Sequence, residues 1–120
     1  MDSEIKAKWV AALRSGQYPQ TRSHLRDDYG YCVYGVLCDL KNPEGWHGVV
    51  DDEEANTRYF IDGDERNYED LPETVQQWAG IAEDDLVIHT VNYGTVRVFE
   101  LNDYHAVPFN TLADLIEAQL

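Results

Sequence analysis

Tyr29-Gly30-Tyr31-Cys32-Val33-Tyr34-Gly35-Val36-Leu37-Cys38-Asp39-Leu40 is the densest apolar stretch of this chain, and its reading decides what the rest packs against. Cys32 and Val36 lie four apart, and Val33, Leu37 and Leu40 follow the i, i+4, i+7 spacing of one helical face. The run therefore fits a buried helix, with Gly35 leaving room for a neighbouring backbone. Tyr and Val also favour strands, and a short apolar run is ambiguous by periodicity alone. Either reading places it in the core.

Working outward, Ile5, Trp9 and Leu13 are spaced by four in a helix expected over residues 3–14, capped by Asp2 or Ser3 and stopped by Gly16. Asp27 and Asp28 precede the central element and suit the positive end of its dipole. Past it, Asn42-Pro43-Glu44-Gly45 ends the helix, and two short strands are expected at residues 46–50 and 58–61, paired antiparallel across Asp51-Asp52-Glu53-Glu54. Asp70 and Glu73 have capping-box spacing for a third helix that carries Val75 and Trp78 inward and stops at Gly80. A hairpin over residues 86–101 follows, turning at Asn92-Tyr93-Gly94. A last helix from Asn110 to Gln119 is expected to bury Leu112, Leu115 and Ile116. The sum is one α+β domain over residues 1–120, with about four helices packed on a small antiparallel sheet of hairpins.

The net charge of -14 disfavours nucleic acid and anionic membranes as direct partners and favours cationic ones. No apolar run approaches the roughly 20 residues a spanning helix needs, and the N-terminus is acidic where a secretory signal is basic, so an intracellular chain is expected. The charge is uneven. Residues 1–43 carry a net of +1, residues 44–85 a net of -12, and residues 86–120 a net of -3.

The acidic middle segment supports three readings. It is a solvated face that keeps the protein in solution, or a docking face for a basic partner, with nucleic-acid mimicry as one form of it. The residues of such a face are Asp51, Asp52, Glu53, Glu54, Asp62, Asp64, Glu65, Glu69 and Asp70. The third reading is a calcium loop, since Asp62, Asp64, Asp70 and Glu73 fall at positions 1, 3, 9 and 12 of that register. Arg66 at position 5, and Asn67 in place of the glycine at position 6, argue against it.

His24, His47, His89 and His105 show no metal-ligand spacing, so no metal or cofactor is expected. Cys32 and Cys38 would sit about 9 Å apart along a helix axis, beyond the roughly 7 Å between Cα atoms that a disulfide spans. Both thiols fall in the apolar run, where a thiolate nucleophile is disfavoured. No enzyme activity is expected. A non-catalytic pocket is a separate possibility: Arg22, Arg26, Tyr29, Tyr31, Tyr34, Trp46, Arg58 and Tyr59 combine stacking faces with guanidinium donors. Those groups suit a small nucleotide-derived ligand, bound at an interface if the chain is a homo-oligomer.

Lys8-Trp9-Val10-Ala11-Ala12-Leu13-Arg14-Ser15-Gly16-Gln17-Tyr18, Gly35-Val36-Leu37-Cys38-Asp39-Leu40, Trp78-Ala79-Gly80 and Leu101-Asn102-Asp103 together resemble a family of small proteins encoded by bacteriophages and prophages. The resemblance covers nearly the whole chain. It departs from the pattern at Val33, at residues 104–108, and in the hairpin of residues 86–98, which looks like an elaboration. The resemblance implies expression in a bacterial host cytoplasm and a part in host takeover. The resulting expectation is an accessory protein that inhibits a host defence protein through its acidic surface, with a sponge for a nucleotide-derived immune signal or a small structural phage protein as alternatives.

Overall fold

The computed structural model describes residues 1–65 and 67–120. Its first helix, α1 (Ser3–Arg14), starts where the Ile5 amide donates to Asp2 Oδ1 at 3.0 Å, and the chain leaves it through Gly16 at φ 74°. Trp9, Val10 and Leu13 are buried, and the Trp9 indole N–H donates to the Val33 carbonyl at 3.0 Å, tying α1 to the central element.

That element is a helix, α2 (Val33–Lys41), but it starts later than the apolar run suggests. Arg26–Asp27 (β1) and Gly30–Tyr31 (β2) form a minimal antiparallel ladder ahead of it. Asp27 and Asp28 are therefore not at the helix N-terminus. Asp27 Oδ1 instead accepts from the Tyr29 and Gly30 amides, which closes the β1–β2 turn, and Asp28 Oδ2 accepts from the Thr57 amide. Cys32 is the residue that caps α2, its Sγ accepting from the Gly35 amide at 3.4 Å.

Gly35 lies against the Leu25 carbonyl so closely that an added Cβ would stand 1.7 Å from that oxygen. The contact lets the connection between α1 and β1 lie on α2, with the Cys32 amide donating to the same carbonyl at 3.1 Å and Leu25 fully buried.

β3 (Trp46–Asp51) and β4 (Asn56–Ile61) pair antiparallel over six residues, and β1 joins β4, giving the sheet order β2-β1-β4-β3. Only Asn56 and Ile61 of this hairpin are buried. Most of the core lies on the helices, joined by Leu25, Ile61, Leu71, Leu86 and Ile88 from strands and connections, and the rest of the hairpin lies outside it.

α3 (Glu73–Ala79) lacks the expected capping box. Pro72 is its N-cap, and the Asp70 amide donates to Asn67 Oδ1, so Asp70 is held in a turn before the helix. Its other end is as expected, with left-handed Gly80 at φ 68° and the Ile81 amide returning to the Gln76 carbonyl. A single 3₁₀ turn, Glu83–Asp85, leads into the second hairpin, β5 (Val87–Thr90) and β6 (Gly94–Arg97).

The expected strand through residue 101 stops at Arg97. Residues Val98–Asp103 form a short helix, α4, after the Val98 amide makes one last ladder-like hydrogen bond to the Leu86 carbonyl at 2.9 Å. Val98, Leu101 and Asn102, at helical spacing, then reach the core. α5 (Phe109–Gln119) is capped by Pro108, two residues before the expected Asn110 cap, and buries Leu112 and Ile116 while Leu115 is half-buried. Arg14 pairs with Asp114 at 2.7 Å and Glu117 at 3.0 Å, joining the C-terminal end of α1 to α5. The architecture is α+β, with five α-helices among the described residues.

Because Gly35 touches backbone and no side chain can yield, Gly35→Ala should lower unfolding stability by about 3 kcal/mol or more, read from the denaturation midpoint.

Candidate functional site

The acids of residues 44–85 divide by what they touch. Asp51 ends β3, and its Oδ1 accepts from the Glu53 and Glu54 amides at 3.1 and 3.3 Å, so it shapes the β3–β4 turn as an Asx cap. Its other oxygen lies 3.8 Å from the Arg58 guanidinium. Asp52, Glu53 and Glu54 lie exposed on that turn, and among the described residues none of them is in an ion pair.

Asp62 stands at the opposite end of the same hairpin. Six paired residues separate it from the tip, roughly 17–20 Å at the rise of a strand. Its side chain is 11% exposed. Lys41 Nζ, Asn42 Nδ2 and Thr74 Oγ1 donate to its carboxylate at 2.8, 2.9 and 3.1 Å, fastening the end of α2 and the first turn of α3 to β4. Burial opposes ionisation there, but the donors outweigh it and hold Asp62 below the usual carboxylate range. This carboxylate is structural.

Asp64 accepts from Asn67 Nδ2, and Glu65 is exposed. Glu69 and Asp70 face a different cavity, shared with Glu83 and Asp103. The nine expected acids thus make a hairpin tip, a structural anchor and a pocket rim, and not one continuous face. Among the described residues no three His, Cys, Asp or Glu side chains converge as metal ligands, and the Asp62 oxygens of the calcium register are taken by protein donors.

The arginine and aromatic residues assemble only in part. The Arg26 guanidinium sits over three rings, 4.5 Å from Tyr59, 5.1 Å from Tyr31 and 5.7 Å from Trp46. Asp39 anchors the group, accepting from the Tyr18 hydroxyl at 2.6 Å and the Trp46 indole N–H at 3.0 Å. The chain's own arginine therefore covers the faces on which a base would stack.

Arg58, next to Tyr59 in β4, points to the other face of the sheet, 4.8 Å over Tyr68. Tyr34 goes into the core, Tyr29 is exposed at the β1–β2 turn, and Arg22 lines a 490 Å³ cavity with Gln20, Thr21, Asn102 and Ala106. Sequence reasoning missed Asp39 as the organiser of the cluster, although its place within the apolar run was a signal, since a lone carboxylate there needs partners.

Cys32 and Cys38 are free and buried, and burial pushes the Cys32 thiol up to about 12 and Cys38 well above the ordinary range. Neither suits nucleophilic chemistry. The histidines have separate tasks: His24 meets Asp27, His47 stacks on Phe60, His89 meets Thr95 and His105 stacks on Tyr93.

A family model described as a domain of unknown function, DUF8296, matches residues 1–120, and the chain belongs to that family. No curated protein matches the chain, and no solved structure does. Among the described residues no helix is long and apolar enough to cross a membrane.

Because the folded Asp62 value is depressed, its stabilisation is complete above the ordinary carboxylate range, about pH 4, and is lost as pH falls through the folded value. Asp62→Asn should cost about 1–3 kcal/mol at neutral pH and should flatten the fall of the melting temperature with acid, measured by thermal unfolding from about pH 6 to about pH 3.

Proposed function

We propose that this chain is a non-enzymatic bacteriophage accessory protein that binds a basic surface on a bacterial host defence protein and inhibits it, acting in the host cytoplasm. The observation that carries the reading is the β3–β4 tip. There Asp52, Glu53 and Glu54 stand exposed without an ion pair among the described residues, on a hairpin that lies mostly outside the core. Carboxylates held this way keep their charge free for a partner, while Asp39 and Asp62 spend theirs inside the fold.

The net charge of -14 adds long-range steering towards a cationic site, the property a nucleic-acid mimic uses. The likeness of residues 8–18 and 35–40 to phage-encoded proteins supports the setting. A nucleotide sponge is the weaker reading, because a base stacking on Tyr31, Trp46 or Tyr59 has to displace Arg26.

Reversing the tip with Asp52→Lys, Glu53→Lys and Glu54→Lys should leave stability within about 0.5 kcal/mol, since these are exposed surface positions. It should abolish capture of the host protein that the wild-type chain retains from bacterial lysate. Wild-type capture should also weaken as salt is raised from about 0.1 M to about 0.5 M, where charges are screened within a few ångströms. Undiminished capture by the reversed tip would sink this function.

A further inference from the structure

β3 is an outer strand of its sheet, and its backbone leaves one row of polar groups unpaired. The Asp62 amide donates to the Gly45 carbonyl at 3.3 Å, while the Thr57 amide turns the other way, to Asp28 Oδ2 at 2.8 Å. Bonded pairs alternate along an antiparallel ladder. His47–Phe60, Val49–Arg58 and Asp51–Asn56 are therefore the bonded pairs, and the N–H and C=O groups of Trp46, Gly48 and Val50 point away from β4. Among the described residues none of these outward groups meets a protein partner.

Two other strand edges are closed from within. β2 is covered by the connection after α1, where the Tyr31 amide donates to the Pro19 carbonyl at 2.8 Å and the Thr21 amide to the Tyr31 carbonyl at 2.9 Å. β5 is covered by one side chain. Gln119 accepts from the His89 amide at 2.8 Å and donates to the His89 carbonyl at 2.9 Å, as a neighbouring strand would.

Among the described residues β3 has no such cover, and it carries none of the devices that usually blunt an edge, a lysine, a proline or a bulge. Its six residues pair one to one with β4. Gly48 adds no side chain to shield the backbone, and Val49 and Val50 are 40% and 66% exposed.

We infer that the free edge of β3 is a docking site for an extended segment of a basic partner, which adds to the sheet as a further antiparallel strand. Charge decides the occupant. The edge runs into the exposed carboxylates of Asp52, Glu53 and Glu54, so an antiparallel strand brings its N-terminal end beside them, and lysines or arginines there are matched. A second copy is the poorer occupant, because pairing two β3 edges unites two segments that each carry a net of -12. The inference rests on the proposed meeting of the tip with a basic surface and adds how the partner is held. Backbone pairing supplies the grip, and the tip supplies the selection.

NMR titration of the full chain with the acetylated peptide Lys-Lys-Val-Thr-Val-Thr-Val tests the inference. Saturable shifts are expected along residues 46–54, with slowed hydrogen exchange at the Gly48 and Val50 amides. N-methylation of the peptide's valines, or of its threonines, removes alternate donors. One of these sets should weaken binding about tenfold or more, and the other should change it less than about threefold. Replacing both lysines of the peptide by glutamates should weaken binding about tenfold or more. Val50→Pro deletes an outward donor that the fold does not use, so the amide spectrum outside the hairpin should stay unchanged while protection at Gly48 is lost.

Equal binding of the two methylated peptides, or affinity unmoved by Val50→Pro, would overturn the edge. Protection that appears without peptide as protein concentration rises assigns the edge to a second copy and overturns the basic partner. The two failures are distinct. Host-protein capture that survives tip reversal sinks the function and leaves the methylation result standing, while equal binding of the methylated peptides sinks the edge and leaves capture standing.

Discussion

The approach of Gly35 to the Leu25 carbonyl is the constraint on which the other elements depend. It seats the irregular connection between α1 and β1 directly on α2, so that Leu25 is buried and its amide can donate to the Tyr68 carbonyl at 2.6 Å. β1 and β2 then emerge next to β4, and the β3–β4 hairpin is attached to the helices through that small ladder and through Asp62. With any side chain at position 35, the connection lifts away and the sheet loses its seat.

The acids of the chain have two uses. Asp27, Asp39 and Asp62 are hubs, each accepting at least two hydrogen bonds from groups distant in sequence or in a tight turn. Asp27 is the most enclosed of the three: burial raises its pKa, yet donation from His24, the Tyr29 amide, Thr21 and Asn56 brings it below the ordinary range. Among the described residues, the side chains of Asp52, Glu53 and Glu54 make no such bonds, and they are exposed. Net charge alone does not distinguish these uses. Hydrogen-bond geometry does, and it moves the functional reading from a whole acidic segment to the hairpin tip.

Much of the architecture was legible because its signals are local. The Asp2 cap, the spacing of Trp9 and Leu13 and the left-handed Gly80 act within one or two turns of helix, and each is found where the residues place it. The β3–β4 hairpin was legible in the same way. What escaped was set by distant partners. Two-residue strands such as β1 and β2 have no periodicity to read, so Asp27 passed for a helix cap. Val98 sits in an alternating pattern with Val96, yet the i, i+3, i+4 spacing of Val98, Leu101 and Asn102 is the one that reaches the core. Pro72 displaced the capping box in which Asp70 and Glu73 have the right spacing.

The candidate site was legible as composition and not as geometry. The clustering of Arg26 with Tyr31, Trp46 and Tyr59 was visible in the chain, but not that the arginine would fill the cluster. The acidic cavity was hidden because Glu69, Asp70, Glu83 and Asp103 come to it from three segments distant in sequence. The division of the acids into hubs and free charges is the central claim, and an NMR titration of every side-chain carboxyl measures it directly. Asp27 and Asp62 should titrate below the ordinary carboxylate range and Glu83 above it. Values for Asp27 and Asp62 inside that range would contradict the division.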